Sequence, residues 1–368
     1  MDGSVKERTN PKSAKTGSAI ADRDTPLIKD CWYVLDWSAE VSNELKNRMV
    51  LGQDLVYFRD QEGEVCALQN RCAHRCFPLH RSNLLENDTI QCGYHGLIYN
   101  TSGQCVKIPS APDKKTSGIK VQKYPVVDRA PMIWVWPGDP EKADPALIPD
   151  YDWVNTKEWG YGHGFYHLEG NYLAIHENLM DITHFSFLHG SALGTPGHAE
   201  SKIDVSIEGS VVDNYRINHG EHVPDLHRDY MGIGFAPVTR DSHSKFMTPG
   251  FHYAYSLYMD PAGTIDGRKD YRLRILHFIS PETQYTTNYW WMFARDFKPE
   301  DKKISQFYSD TTLEVFREDG DAIEWMEQQW ANEDRPDFQE THVPADKGAV
   351  EMRRIIKRMA EEENIQPK

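Results

Sequence analysis

The chain has 368 residues, 39% of them hydrophobic and including 18 Tyr, 14 Phe and 10 Trp, which exceeds one ordinary domain and can bury a sizeable core. Its formal charge of −15 argues against a general binder of nucleic acid or of anionic membranes. No apolar run approaches the ~20 residues that a membrane span needs.

The first stretch, MDGSVKERTNPKSAKTGSAIADRD, lacks the apolar centre of a secretory signal. Residues 1–26 therefore read as a flexible tail, and the chain as cytoplasmic. All six cysteines, Cys31, Cys66, Cys72, Cys76, Cys92 and Cys105, fall near the N-terminal end. In a reducing compartment such a set points to a metal site rather than disulfides. Its confinement to one end implies two halves with separate chemistry.

Residues 27–140 consist of short apolar runs broken by turn residues. NRMVLGQDLVYFRDQEGEVCALQN reads as one β-run, an EG turn and a second β-run, GLIYNTSGQCVKIP repeats the pattern, and RAPMIWVWPGDP is a closing strand. This is an all-β domain. The Pro- and Asp-rich stretch at 141–160 reads as linker. Residues 161–368 form a second domain, with helices predicted over 171–185 and 311–329 and strands at YRLRILHFIS and NYWWMFARDF. A last amphipathic helix lies at GAVEMRRIIKRMAEEEN. The whole is α+β: an all-β N-terminal domain, then a domain with an antiparallel sheet flanked by helices.

Within the first domain, RCAHRCFPLHRSNLLENDTIQCGYHG places Cys72-x-His74 seventeen residues before Cys92-x2-His95. Two metals suit these donors. One is a structural zinc ion held by two Cys and two His. The other is a Rieske [2Fe–2S] cluster, with two Cys on one iron and two His on the other. Zinc spacings usually pair Cys with Cys and His with His, whereas here each loop supplies one of each, as a two-iron cluster requires. Arg71, Arg75, His80 and Arg81 form a basic group around these loops in an otherwise acidic chain, suited to steering an acidic electron donor.

In the second domain, HENLMDITHFSFLHG sets Glu177, Asn178, Asp181, His184 and His189 among apolar residues. Buried polar groups of this kind need a partner or a metal. On a helix Asn178, Asp181 and His184 would share a face. His189 would join His184 at one ion only if the helix ended or bulged near 185–188. Two such histidines could be satisfied core residues; with a nearby acid they could also be a 2-His-1-carboxylate iron site. TTLEVFREDGDAIEWMEQQW offers Glu314, Glu318, Asp319, Asp321 and Glu324 as that acid. Helical phase puts Phe316, Asp319, Ile323, Met326 and Trp330 on one buried stripe, which selects Asp319, with Asp321 the weaker candidate.

The segments CAHRCFPLHRS and CGYHGLIYNTSGQC resemble the Rieske domain of bacterial aromatic-ring oxygenase large subunits. Glu177, Asp181, His184 and His189 likewise fit that family's E/D-x3-D-x2-H-x4-H motif. The resemblance implies Cys72 and Cys92 on one iron, His74 and His95 on the outer iron, and a mononuclear Fe(II) on His184, His189 and Asp319. It also implies that Asp181 accepts a hydrogen bond from His184, and contacts the Rieske His95 of a neighbouring subunit in a homotrimer. Asn178 and Glu177 would support the iron site. Cys76 departs from the family's usual Gly and is expected to be a small buried thiol. The wording NLMDITH…LH is similar to the vanillate and dicamba O-demethylase branch, which implies O- or N-dealkylation of a small substituted aromatic with O2. Ring cis-dihydroxylation and a bare Rieske electron carrier are the alternatives. The sequence has neither a G-x-G-x-x-G fingerprint nor a plant-type ferredoxin run, so electrons would come from a separate ferredoxin or NAD(P)H-dependent reductase. YWWMF, at 289–293, is a candidate pocket wall.

Overall fold

A computed structural model describes residues 19–190, 193, 196–263, 267–333, 335, 338 and 340–365. They divide into two compact units. One comprises Ile28–Asn155 with Ser280–Thr283, and the other comprises Thr156–Ile279, Gln284–Lys368 and the N-terminal segment. The first unit thus runs past residue 140 and takes in most of the stretch read as linker.

The first unit is all β. It has three small sheets: β1 (Tyr33–Trp37) with β9 (Val126–Arg129) and β10 (Met132–Val135); β2 (Lys46–Val50) with β3 (Gln53–Arg59) and β4 (Val65–Gln69); and β5 (Asn83–Leu84) with β6 (Ile90–Gln91), β7 (Ile98–Tyr99) and β8 (Cys105–Lys107). The segment read as one β-run before the EG turn is two strands. Val50 faces Gln53 across a two-residue turn, where Leu51 and Gly52 both take left-handed φ of 51° and 71°. Such a turn matches the twist of a tight hairpin, and a Leu at its first position, where Asn, Asp or Gly is usual, masks it in the sequence. Val56, Phe58, Leu68, Ile90 and Tyr99 build a core that also contains Cys72 and Cys92.

The second unit is built on a seven-stranded sheet ordered β11-β17-β16-β15-β14-β13-β12. Its strands are β11 (Gly160–Leu168), β12 (Asp204–Glu208), β13 (Val211–Glu221), β14 (Val238–Thr248), β15 (Phe251–Met259), β16 (Asp270–Pro281) and β17 (Thr287–Arg295). Every residue of β17 is buried, which is why its sequence runs apolar without alternation. Around the sheet lie α1 (Tyr172–Met180), the short α2 (Pro196–Glu200) and α3 (Asp225–Met231), and the long α4 (Lys302–Asn332) and α5 (Lys347–Ile365). α4 starts nine residues earlier than the pattern suggested, because Asp301 caps it through Lys303 N and Ile304 N. It comes close to β11 at Gly162, where a Cβ would stand 2.5 Å from Ser305 O and Ser309 N.

Residues 19–26 are not a tail. Ala21 is fully buried and exchanges hydrogen bonds with Arg353, its N donating to Arg353 O and its O accepting from Arg353 Nε. Arg23 pairs with Glu327 at 2.6 Å and lies over the Trp330 ring. That pairing also corrects the α4 stripe: Glu327 is buried while Met326 is half exposed. A charged residue occupies the inner phase because an arginine from the N-terminal segment meets it there. Residues 1–18 of the expected tail lie outside the described residues.

Candidate metal centres

In the first unit, two loops share one hydrogen-bond pattern. Cys72 N donates to Phe77 O and Cys76 N to Cys72 O; Cys92 N donates to Leu97 O and Gly96 N to Cys92 O. Each loop therefore closes over its own cysteine in the same way. Both thiols are buried, and Tyr99 OH lies 3.2 Å from Cys72 Sγ and also accepts from Ala73 N. Desolvation raises the Cys92 thiol pKa, with Cys72 beside it adding to the effect, so the thiolate needs a cation. His74 and His95 stand exposed with ring centroids 4.6 Å apart.

A single zinc ion would draw four donors within about 4 Å of one another. Among the described residues, the one group of three or more His, Cys, Asp or Glu donors mutually within 4.8 Å is His184, His189 and Asp319. The four Cys and His donors spread wider, as a two-iron cluster between them demands. Gly93 completes the cradle: a Cβ there would stand 3.1 Å from Phe77 Cε1 and Arg81 O.

The expectation of a buried thiol at Cys76 is overturned: the residue is exposed, with φ of 57°. It occupies the loop position at which the twin loop has Gly96, with φ of 73°. A residue with a side chain is disfavoured in that left-handed conformation by about 1 kcal/mol. Cys76→Gly should therefore raise stability by up to about 1 kcal/mol and leave the cluster absorbance intact. A lower midpoint of thermal cluster loss would refute this.

In the second unit, α1 stops at Met180, earlier than the 185–188 that the pattern required. Asp181 leaves the helical conformation at φ −109°, ψ 89° and starts a 3-10 turn, Ile182–Ser186. The Asp181 carboxylate accepts from Thr183 N at 3.0 Å and Thr183 Oγ1 at 2.7 Å. His184 Nδ1 donates instead to the Asp181 backbone carbonyl at 2.6 Å. The imidazole is oriented by Asp181 as expected, but through the main chain, because the side chain is spent on capping the turn.

That break swings His184 and His189 together, with ring centroids 5.2 Å apart. Asp319, on the buried face of α4, meets both: its Oδ1 lies 3.1 Å from His189 Nε2 and 3.3 Å from His184 Nε2, and accepts from Asn178 Nδ2 at 2.9 Å. His184 Nε2 is misaligned for a hydrogen bond and is left buried without a partner. Burial alone would raise the Asp319 carboxyl, but the two imidazoles outweigh it and hold its pKa well below the usual carboxylate range. Two imidazole nitrogens, one of them without a hydrogen-bond partner, and an ionised carboxylate fit an iron ion with open positions.

Glu318, among the acids that the sequence offers as a ligand, is instead a partner of one: its Oε2 accepts from His189 Nδ1 at 2.7 Å. It fixes the tautomer that leaves Nε2 facing Asp319. Asp321 is exposed, which removes it as the alternative ligand. Glu177 is turned away from this group and forms an ion pair with Arg353 of α5 at 2.8 Å, so its expected support of the iron site is replaced by a structural tie.

Asn178 and Asp319 also line a pocket that is partly open to solvent, with apolar walls from Leu179, Phe185, Leu226, Ile275, Phe293 and Phe316. Such a lining, mostly apolar with a few polar groups, suits a small aromatic molecule. Of YWWMF only Phe293 reaches this cavity. Tyr289 borders a smaller hollow, and Trp290, Trp291 and Met292 are plain core.

A Rieske-type cluster and a mononuclear iron on one chain define an iron-dependent oxygenase. Comparison with known proteins agrees. Residues 31–125 match the Rieske [2Fe-2S] domain, and residues 168–362 match the vanillate O-demethylase oxygenase C-terminal domain. The chain is 32% identical over 347 residues to the toluene-4-sulfonate monooxygenase system iron-sulfur subunit of Comamonas testosteroni, covering 92% of this chain and 98% of that one. It is 32% identical over 340 residues to the vanillate O-demethylase oxygenase subunit of a Pseudomonas species, covering 90% and 94%. The crystal structure of dicamba monooxygenase bound to 3,6-dichlorosalicylic acid superposes with a TM-score of 0.86 at 26% identity, over 93% of this chain and 100% of that one. The chain belongs to the vanillate O-demethylase oxygenase family of Rieske non-haem iron monooxygenases. It takes one [2Fe–2S] cluster and one mononuclear iron. No helix among the described residues is long and apolar enough to cross a membrane.

Proposed function

We propose that this protein is the terminal oxygenase of a multicomponent system that removes a methyl or alkyl group from the O or N of a substituted aromatic compound. The observation that carries this reading is the His184–His189–Asp319 group beside an apolar cavity, on a chain with a second, Cys/His-based centre. Relatives named for O-demethylation and for N-dealkylation, the latter a chloroacetanilide N-alkylformylase of Rhizorhabdus wittichii, support it. In the balanced reaction, O2, two electrons and two protons convert R–O–CH3 into R–O–CH2OH and water. The hydroxymethyl ether then expels formaldehyde and leaves the phenol.

When bound, the cluster supplies single electrons and the mononuclear iron supplies reductive activation of O2. Cys72, Cys92, His74 and His95 would hold the first group, and His184, His189 and Asp319 the second. Asn178 positions Asp319, Glu318 holds the His189 tautomer, and the apolar walls keep bulk water from the reacting carbon. A panel of methoxy- and N-alkyl-aromatics under 18O2 with a surrogate reductase tests the reading. Aldehyde release supports dealkylation, whereas a cis-diol product would overturn it.

The relatives are oxygenase components or subunits of larger systems, and an external reductase or ferredoxin is the donor in our reading. Arg71, Arg75 and Arg81 are exposed around the cluster loops, while His80 is held by Asn70 through its ring and its backbone N. Reversing charge at Arg75 and Arg81 should slow cluster reduction by about tenfold at low salt and by less at high salt. Stopped-flow rates independent of both charge and salt would refute steering. We further read the active form as a homotrimer in which Asp181 relays electrons from His95 of a neighbouring copy. Sedimentation of the holoenzyme tests that assembly.

A further inference from the structure

We propose that Tyr289 and Tyr166 form a two-step route that carries oxidising equivalents away from the mononuclear iron site when oxygen is activated with no substrate carbon in reach. This rests on the reading above that His184, His189 and Asp319 hold that iron.

Both tyrosines border the small hollow that Asp319 and Asn178 also line. They stand directly opposite each other on β17 and β11, so their side chains share one face of the sheet, with Cβ atoms about 5 Å apart. Tyr289 is buried, and its OH lies 2.6 Å from Nδ1 of the buried His277. The charge of Asp319 acts on both of these rings, which places the pair beside the iron ligands. Tyr166 is half-buried and stands beside the carboxylate of Glu324, a half-buried residue of α4. Its ring also reaches α4 at Gly320, the residue after Asp319. A Cβ there would stand 2.6 Å from Tyr166 Cε1 and 2.7 Å from its OH. Glycine inside a long helix costs about 1 kcal/mol, and at this place it makes room for a tyrosine. The two phenols thus lead from the enclosed side of the iron site toward solvent.

A phenol gives up an electron readily only if its proton can leave at the same time, and each tyrosine here has its own acceptor. Burial keeps His277 neutral, so its Nδ1 accepts from Tyr289 OH while Nε2 carries the ring's own proton. An oxidised phenol is a far stronger acid than an imidazolium, even one disfavoured by burial, and the Asp319 charge favours that imidazolium. The steps balance. Tyr289 loses one electron to the oxidant and its phenolic proton to His277. Tyr166 then returns an electron to Tyr289, the proton goes back from His277 to the Tyr289 oxygen, and the Tyr166 proton passes to Glu324. A solution reductant such as ascorbate restores the electron to Tyr166, and Glu324 returns the proton. Two such passages supply the two electrons that, with two protons from solvent, convert hydrogen peroxide, the two-electron reduction product of O2, into two waters.

The test adds hydrogen peroxide to the substrate-free holoenzyme, with the cluster oxidised and the mononuclear iron ferrous, and freeze-quenches it for EPR. The wild type should give a tyrosyl radical, recognised by narrowing of its signal when the protein carries ring-deuterated tyrosine, and ascorbate should erase it. Tyr289→Phe should lose the signal. Tyr166→Phe should keep a radical that ascorbate quenches far more slowly. A wild type with no tyrosyl radical overturns the proposal, as does an unchanged signal in Tyr289→Phe or unchanged quenching in Tyr166→Phe. Peptide mapping of the peroxide-treated wild type does not depend on how the variants fold. Oxidation should fall first on Tyr166 and Tyr289, and oxidation spread evenly over the 18 tyrosines overturns the route. Iron content separates the two readings. Iron beyond the two of the cluster, but no radical, sinks this proposal alone; cluster iron only sinks the iron site and this proposal with it.

Discussion

Asp319→Ala should lose the mononuclear iron and at least roughly a thousandfold in turnover, the loss expected when several kcal/mol of metal-supplied stabilisation disappears. The reason lies in how the three ligand candidates are held. Asp319 Oδ1 lies beside His184 and His189 and accepts from Asn178, so its removal strips the only anion from the group and leaves Asn178 Nδ2 without its acceptor. The [2Fe–2S] cluster is built from another part of the chain. The variant should therefore keep the reduced Rieske EPR signal and the two cluster irons while losing the third. Glu318→Gln should show a graded effect, about 10–100-fold in iron affinity, because it weakens the group that orients His189 rather than a ligand candidate. Full turnover in Asp319→Ala, or loss of the cluster signal with it, would contradict this assignment.

Much of this arrangement can be read directly in the sequence, because each part depends on short-range spacing. C-x-H and C-x2-H determine what one tight loop can present, and the 3.6-residue phase of α4 separates Asp319 from Asp321. The break at Asp181 was also within reach: an Asp two residues before a Thr is a capping signal, and it outcompeted helical propensity over 171–185. The left-handed position of Cys76 could have been found by laying one loop on the other from their cysteines, which sets Cys76 against Gly96. Arg240 sits on the buried phase of VTRDSHSKF, between Val238 and Phe246, and strand alternation, which the sequence reading did not apply here, could have flagged it. What could not be read are partners fixed by chain segments far apart in sequence. Glu318 meets His189 across 129 residues, and Arg353 meets Glu177 across 176 and Ala21 across 332. These depend on packing of the second unit that no local pattern specifies. The same long-range ties turned an expected tail into an anchored segment.

The second unit should lose about 4–5 kcal/mol of stability between pH 7 and pH 5.5, because four histidines are buried in neutral form. Burial drives the pKa of His176 down to about 4 and those of His227 and His277 down to about 3, and it drives His252 well below its ordinary value. Their surroundings offer little relief. His176 is held by Pro249 O and by His252, His252 by Ser244 Oγ, and His277 by Tyr289 OH. The charge of Asp319 favours protonation of His277, but desolvation and His176 outweigh it, and Arg240 disfavours protonation of His227. Above about pH 6.5 both folded and unfolded chains carry these rings neutral, so the stability is fully present. As the pH falls below that value the unfolded chain takes up protons that the folded chain refuses, and each ring costs roughly 1.3 kcal/mol by pH 5.5. Glu177, whose carboxyl is raised by burial, and His189, raised by Asp319 and Glu318 against burial, act in the opposite sense. The decisive quantity is therefore the change in slope on replacing one ring. Unfolding free energies from urea titrations at the two pH values should converge in His227→Phe by about 1.3 kcal/mol relative to the wild type. A wild-type profile that is flat over this window would show that these rings find protons or water in the folded state.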